Sequence, residues 1–193
     1  MAPKQLTHRG RKWVFFMYHK QANKTAIQSQ HMIADALFSL MKRRPFQQIT
    51  VTEICEEAAI GRKTFYRNFD LKEDVIDFRL DQLREQYAKE IVGMNSQQHL
   101  RHHFEFIQAH ADLFIALYHN GFHQMSYAKF AVLIPETMPT WTADPVEQEY
   151  RSAYIINGIE AIQRAWIERG FAESIDRVVE IAMRAHERQI PIL

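Results

Sequence analysis

Apolar residues recur at steps of three and four along most of this chain, the spacing of helices that bury one face. The first stripe runs from Ile27 to Met41, and Pro45 lies where it stops. Further stripes cover about 72–92, 97–120, 122–134, 146–169 and the segment after Ser174. The chain has only six glycines and six prolines, too few for a many-turned sheet protein. The pattern therefore predicts an all-α fold.

Helix starts are marked by capping boxes, in which an N-cap side chain and a residue three positions later satisfy each other's backbone amides. Three such boxes are predicted, at 25–28, 50–53 and 70–73. Between the second and third, Gly61 is predicted to begin a short helix over residues 62–68. Two short helices around a tight turn, preceded by a longer helix, predict a helix-turn-helix, whose second helix enters the major groove of DNA.

The formal net charge of +1 hides an uneven distribution. Residues 1–70 hold twelve Lys and Arg against five Asp and Glu, a net charge of +7, and the remainder carries −6. A basic N-terminal part on an acidic body favours a polyanionic partner such as nucleic acid. A solvated basic surface without a ligand is the alternative.

Aromatic, hydroxyl and cationic side chains are most concentrated in the segment GRKTFYRNF, residues 61–69. Phe65 and Phe69 are four residues apart and are predicted to hold one helix face against the core. Cationic and hydroxyl side chains occupy the other faces: Arg62, Lys63, Thr64, Tyr66 and Arg67. An amphipathic helix with a charged outer face, and no role at DNA, is the alternative.

The stretch from about residue 25 to 90 resembles the TetR (tetracycline-repressor-like) family of bacterial transcription regulators. Three segments carry the resemblance: Ile49-Thr50-Val51, the run TFYRNF at 64–69, and Lys72-Glu73-Asp74-Val75. The resemblance implies that Thr64, Tyr66 and Lys72 contact DNA phosphates and that Thr50 lies near the DNA backbone. The chain departs from the family at Ala59, where glycine is usual, and at Gly61, where serine is common.

The resemblance also divides the chain. We expect a basic N-terminal extension over residues 1–24, of which residues 1 to about 20 are not part of the fold, although a DNA-binding arm or a natural start at Met17 are alternatives. Residues 25–71 are the expected three-helix DNA-binding domain with its helix-turn-helix. Residues 72–193 are the expected helical domain for effector binding and dimerisation.

Aromatic residues crowd the middle of the chain, and an apolar cavity with a few polar groups is what an effector site requires. The candidate pocket residues are His103, Phe106, His110, Phe114, Tyr118, Tyr154 and Asn157. The resemblance implies a homodimer through the last two helices. The candidate interface residues on their apolar stripes are Ile155, Ile159, Ile162, Trp166, Val178 and Val179.

Other classes of protein find little support. No enzyme motif is present, the single Cys55 excludes a disulfide framework, and we expect no cofactor. His99 and His103 lie four residues apart, but no third ligand completes a metal site. No apolar run reaches the roughly 18 residues of a membrane span, so we expect a cytoplasmic protein without a membrane partner.

Two functions remain after these exclusions. The first is a ligand-responsive regulator, most commonly a repressor, that binds a palindromic double-stranded DNA operator as a homodimer and responds to an unknown small-molecule effector. The second is a TetR-like coactivator that binds a protein partner and has lost DNA binding. Glu56 and Glu57 favour the second, because they add negative charge near the predicted DNA face.

Overall fold

The computed structural model describes residues 5–8, 11–14, 18–19, 23–133 and 142–187 of the chain. These residues form nine α-helices, one 3-10 turn and one antiparallel hairpin. The elements are β1 (Gln5–His8), β2 (Arg11–Val14), α1 (Lys24–Met41), the 3-10 turn (Phe46–Gln48), α2 (Val51–Glu57), α3 (Arg62–Asn68), α4 (Lys72–Glu90), α5 (Ser96–Ala109), α6 (Ala111–His119), α7 (His123–Ala131), α8 (Pro145–Glu168) and α9 (Ile175–Glu187). The predicted all-α class is confirmed.

The chain divides into two compact units, which we call the head (Met1–Arg84) and the body (Glu85–Leu193). The sequence predicted a boundary at residue 71, just before α4, whereas the two units divide within α4, after Arg84. The head therefore also contains the first part of that helix. None of the described helices combines the length and hydrophobicity that a membrane span requires.

The head has its core where α1, α2, α3 and the first part of α4 bring their apolar faces together. Its fully buried side chains include Ile33, Leu37, Ile54, Phe65, Phe69, Ile76 and Leu80. Burying each such side chain contributes about 1.5–3 kcal/mol. This packing holds the two short helices, α2 and α3, which are too short to be stable alone.

The N-terminal extension departs from the prediction that it lies outside the fold. β1 and β2 pair antiparallel, with Gln5 opposite Val14. Closer to α1, the ring of Tyr18 packs edge-on to Phe78, with ring centroids 5.0 Å apart. The backbone amide of His19 donates to the carbonyl of Asn68, at 3.1 Å. At Tyr18 and His19 the prediction is wrong, because these residues pack on the head.

The body has a core formed by α5, α8 and α9, where Phe104, Trp166, Val178, Val179 and Ala182 are buried together. Its partly buried neighbours include Ile159 and Ile162. Trp166, Val178 and Val179 were predicted at a dimer interface, but they are at most 5% exposed in the protomer itself. Their apolar surface is used within the chain, so these three assignments are corrected.

Two helix boundaries differ from the sequence pattern. Asn23, not Thr25, is the N-cap of α1, because its side-chain oxygen accepts from the amide of Thr25 at 2.9 Å. The predicted single helix over 97–120 is two helices, α5 and α6, which meet at His110 with φ −112° and ψ 29°. The apolar spacing continues across this break, so periodicity alone does not reveal it.

Candidate nucleic-acid interface and effector cavity

The helix α3 has two chemically opposite faces. Phe65 and Phe69 are fully buried, with ring centroids 5.9 Å apart. The exposed face carries Arg62, Lys63, Tyr66 and Arg67. The guanidinium carbon of Arg62 lies 6.0 Å from the ring centroid of Tyr66, which is 45% exposed. Because the two phenylalanines are buried in the core, the predicted cationic face on the other side of α3 is exposed to solvent.

Local backbone geometry determines where α3 begins and ends. Gly61 is its N-cap, as predicted, and its carbonyl accepts from the amide of Thr64 at 2.8 Å. Thr64 is half-buried, and its carbonyl also accepts from the side-chain amide of buried Asn68 at 2.8 Å. In the preceding turn, Ala59 has a φ of 52°, in the left-handed region that favours glycine. Alanine in place of the family's usual glycine therefore leaves the backbone strained at this position.

Thr50 begins α2 through the predicted capping box. The hydroxyl of Thr50 donates to Glu53 Oε2 at 2.7 Å and accepts from the amide of Glu53 at 3.3 Å. The hydrogen bond from this hydroxyl, helped by Arg44, lowers the pKa of Glu53 to about 2. The donor of Thr50 is therefore engaged in the cap.

Lys72 has a position that the resemblance did not imply. Its ammonium donates to the carbonyls of Phe46 and Ile49, both at 2.8 Å, and to that of Gln47 at 3.4 Å. The same nitrogen lies 4.3 Å from the ring centroid of Phe46. A lysine has three N–H donors, so each has an acceptor in the connection between α1 and α2. Lys72 therefore fastens the start of α4 to this connection.

Of the two acids near the predicted DNA face, one is paired. Glu57 accepts from Arg43 and from the hydroxyl of Ser39, each at 2.7 Å. These hydrogen bonds lower the pKa of Glu57. Glu56 is exposed. Of the two negative charges that favoured loss of DNA binding, that of Glu57 is therefore offset by Arg43, and mainly that of Glu56 remains.

The body contains a cavity of about 40 Å³ lined by residues of α5, α6, α7 and α8. Of the predicted pocket residues, His103, Phe114 and Tyr118 line it. Further aromatic and aliphatic lining comes from Tyr127, Phe130, Leu117, Ile107, Ile156 and Ile167. The lining is mainly apolar, as small-molecule sites usually are.

The polar groups of this cavity are few and mostly uncharged. His103 Nε2 lies 2.9 Å from Gln163 Oε1, and burial lowers the pKa of His103 to about 4, so its ring is neutral at pH 7. His123 Nδ1 is buried and has no hydrogen-bond partner among the described residues. Ser126 also lines the cavity and is 5% exposed. The lining also includes one acidic residue, Glu160, and one basic residue, Arg164.

Four predicted pocket residues lie elsewhere. Phe106 is buried against Tyr87, with ring centroids 4.9 Å apart, and His110 lies at the break between α5 and α6. Tyr154 is 62% exposed, and Asn157 is exposed and donates to the carbonyl of Ala153. Tyr154 and Asn157 lie on the outer face of α8. Because α8 has apolar residues on both sides, its sequence does not reveal which side faces the cavity.

Tyr87, near the end of α4, was missed by sequence reasoning. It is 1% exposed and its ring contacts two cavity residues, Phe130 at 5.5 Å and His103 at 6.3 Å between ring centroids. Its hydroxyl has no hydrogen-bond partner among the described residues, and burial raises its pKa. A second contact ties the same helix end to α5, where His102 Nε2 lies 3.0 Å from Glu90 Oε2.

Among the described residues, no three His, Cys, Asp or Glu side chains are grouped closely enough to hold a metal ion. His99 lies 5% exposed beside Tyr87, and burial lowers its pKa to about 4. The predicted His99 and His103 pair is thus placed among aromatic rings.

Residues 33–77 match the family described as bacterial regulatory proteins of the tetR family. The resemblance read from the sequence is thus confirmed over this segment of the chain. The match covers the second half of α1, all of α2 and α3, and the first turns of α4, within the segment where the resemblance was seen in the sequence. No curated protein matches this chain.

Several solved structures share the fold of this chain. The dihydroxyacetone kinase operon activator DhaS has a TM-score of 0.59 and 21% identity, over 86% of this chain and 98% of that one. A TetR transcriptional regulator from Streptococcus agalactiae 2603V has a TM-score of 0.69 and 16% identity, over 86% and 97% of the two chains. Thermus thermophilus FadR, a repressor in complex with lauroyl-CoA, has a TM-score of 0.54 and 19% identity, over 85% and 96%.

Proposed function

We propose that this TetR-family regulator is a ligand-responsive repressor that binds a palindromic DNA operator as a homodimer. The exposed face of α3 carries the proposal, because it presents Arg62, Lys63, Tyr66 and Arg67 on the second helix of a helix-turn-helix. In such motifs the N-terminal residues of the second helix contact base edges in the major groove.

We assign different roles to these side chains by their position. Arg62 and Lys63, at the N-terminal end of α3, reach base edges. Arginine and lysine donate most commonly to guanine there. Tyr66, together with Thr64, contacts phosphates, which fix the register of the protein without reading sequence. Thr50, whose hydroxyl donates to Glu53, instead holds the start of α2 beside the DNA backbone.

The homodimer forms through an exposed stripe on α8, which we define as Tyr150, Tyr154, Gly158, Ala161 and Ala165. These residues are spaced at three and four along the helix, and all are exposed in the protomer. Tyr150 and Tyr154 are 74% and 62% exposed. The small side chains allow a second helix to approach closely, and the two tyrosines supply aromatic contact area, which is enriched in interfaces. Ile181 of α9, 37% exposed, extends the apolar surface.

The effector binds in the body cavity and is an uncharged, mainly apolar molecule with a hydroxyl group. The lining has a neutral His103 and one side chain of each charge, Glu160 and Arg164, so it offers no net charge to an ion. A hydroxyl both donates and accepts, so it satisfies His123 Nδ1 in either tautomer. A cavity of about 150 Å³ accommodates benzene, so a volume of about 40 Å³ must enlarge when the effector enters.

The effector signal travels along α4. The cavity residues His103 and Phe130 contact Tyr87 at one end of this helix. At the other end of α4, the ammonium of Lys72 donates hydrogen bonds to carbonyls that precede α2. A ligand that binds the open and closed cavities with different affinity shifts α4 and thereby the presentation of α3.

The experiment that tests this function is selection of DNA by the purified protein from a random duplex library. We expect an enriched palindrome with half-sites about 10 base pairs apart, centre to centre. Lys63→Ala should relax the preference at one base pair in each half-site, while Lys24→Ala, on the exposed start of α1, serves as a matched control. Absence of any enriched duplex at low salt would refute DNA binding and leave the coactivator function.

The coactivator alternative rested on the charge of Glu56 and Glu57. The pairing of Glu57 with Arg43 removes half of that support. A single exposed glutamate beside three exposed cations on α3 does not make the head surface repel DNA. We therefore keep the DNA-binding function as the proposal.

A further inference from the structure

The recognition helix α3 is only seven residues long. Helices shorter than about 12–15 residues are marginal on their own, and the last four carbonyls of any helix lack partners within it. The geometry of α3 therefore depends on what its C-terminal carbonyls contact. Phe65 O accepts from the amide of Phe69, which leaves the carbonyls of the last residues to be satisfied from outside.

Those contacts come from His19, in the segment that precedes α1. Its backbone amide donates to Asn68 O at 3.1 Å. Its ring Nδ1 lies 2.9 Å from Arg67 O. Because a carbonyl oxygen only accepts, Nδ1 carries the proton and donates. The remaining ring nitrogen, Nε2, lies 3.4 Å from Asp70 Oδ1. One residue thus contacts the final two residues of α3 and the residue after its C-cap.

The segment is itself fastened to the head. The carbonyl of His19 accepts from Gln30 Nε2 at 2.8 Å, and Gln30 is 2% exposed on α1. The ring of Tyr18 lies 5.0 Å from Phe78 and 6.4 Å from Phe69, between ring centroids. Phe69 is the C-cap of α3, and Phe78 belongs to α4. Tyr18 and His19 therefore join the C-terminal end of α3 to α1 and α4.

We propose that Tyr18 and His19 form a clamp that positions the recognition helix for DNA. The inference rests on the proposed function, DNA binding through α3. His19 acts through the backbone of Arg67 and Asn68, so it is a positioning residue. Without the clamp, the last turn of α3 frays, and the side chains of Tyr66 and Arg67 lose the fixed geometry that base and phosphate contacts need.

The first test measures the clamp without DNA, as hydrogen exchange of the backbone amides at 62–69. In His19→Ala we expect exchange there to rise about fivefold, the equivalent of one net hydrogen bond. His19→Asn should restore slow exchange, because its side-chain N–H can replace Nδ1–H. His119→Ala is the matched control, since His119 is exposed on α6 in the body. Equal exchange in His19→Ala and the wild type would overturn the clamp.

The second test measures DNA affinity with the duplex that the wild type selects from a random library. We expect His19→Ala to weaken this affinity about fivefold, His19→Asn to rescue it, and His119→Ala to leave it unchanged. Affinity for a random duplex at low salt should change less than about twofold, because it depends mainly on charge. Faster exchange with unchanged affinity for the selected duplex would overturn the positioning role. If the wild type selects no duplex, the DNA-binding proposal fails, and the exchange experiment still decides whether the clamp exists.

Discussion

At the scale of single residues, the backbone of Ala59 carries a local cost within the helix-turn-helix. Its φ of 52° lies in the left-handed region, where an L-residue pays about 1–2 kcal/mol. Ala59 is exposed, so its side chain gains little from packing. Glycine, common at this position in the family that the sequence resembles, has no such cost.

We expect Ala59→Gly to raise the free energy of unfolding of the head by about 0.5–1 kcal/mol, the relief of strain less the greater entropy loss of glycine. Urea denaturation followed by circular dichroism measures this change. Ala59→Val is the matched control and should destabilise, because a β-branched residue tolerates positive φ poorly. A destabilised Ala59→Gly protein would show that the turn is not strained.

A second prediction at the residue scale concerns His123 in the cavity. We expect phenol to raise the melting temperature of the wild type more than toluene does, because only phenol can pair with His123 Nδ1. Benzoate should have the smallest effect, since the lining offers an ion no net charge. His123→Phe keeps an aromatic ring and should remove the advantage of phenol over toluene.

The measurement is a thermal shift titration at millimolar concentrations of each probe. Tyr154→Phe is the control variant, because Tyr154 was predicted in the pocket but lies exposed on α8. A larger shift with benzoate than with phenol, in the wild type, would contradict an uncharged effector. A loss of the phenol response in Tyr154→Phe would contradict the location of the site.

At the scale of elements, Lys72 connects the first turn of α4 to the residues before α2. The three carbonyls that it contacts belong to residues 46, 47 and 49, directly before the N-cap Thr50. The capping box of α2 and the position of α4 are thereby linked through one side chain. The resemblance to the family implied a phosphate contact for this lysine, and that role competes with the one seen here.

We expect Lys72→Met to destabilise the head by about 1–3 kcal/mol, because methionine keeps the apolar stem but leaves the part-buried carbonyls of Phe46 and Ile49 without this donor. Lys63→Met, a substitution of the same kind on the exposed face of α3, should leave stability unchanged and weaken DNA binding. The salt dependence of DNA binding separates the two roles, since each lost phosphate contact lowers its slope by about one. A flatter slope with unchanged stability in Lys72→Met would assign this ammonium to a phosphate.

At the scale of the whole molecule, the proposed homodimer depends on which face of α8 remains exposed. Ile159 and Ile162, predicted at the interface, pack partly on the body core, and Ile159 also lines the cavity. Substituting Ile159 would therefore disturb the protomer as well as a dimer. Gly158 lies on the opposite, exposed stripe, and among the described residues no atom beyond its neighbours would lie within 4 Å of an added Cβ.

We expect Gly158→Glu to make the protein monomeric at micromolar concentration, because two charged side chains would meet where the stripes pack together. The protomer itself should become slightly more stable, since glycine in a helix interior costs about 0.5–1 kcal/mol. Sedimentation velocity measures the association state. Gln108→Glu adds the same charge at an exposed position of α5 and should remain dimeric. A dimeric Gly158→Glu protein would place the interface elsewhere.

Local patterns in the sequence determined the secondary structure and the chemistry of the head. The capping box at Thr50, the N-cap at Gly61 and the spacing of Phe65 and Phe69 act within a few residues, so they can be read before any tertiary contact is known. For the same reason, the exposed cationic face of α3 followed from the sequence.

The tertiary structure alone decided which contacts join distant parts of the chain. The apolar residues of α8 could serve the core, the cavity or a partner. Only packing against α5 and α9 assigned Trp166 to the core, and only the neighbouring α5, α6 and α7 assigned Ile156 to the cavity. The ammonium of Lys72 and the clamp at His19 link residues 23 and 48 positions apart. Such contacts leave no periodic trace, because periodicity records which face of an element is buried and not which partner covers it.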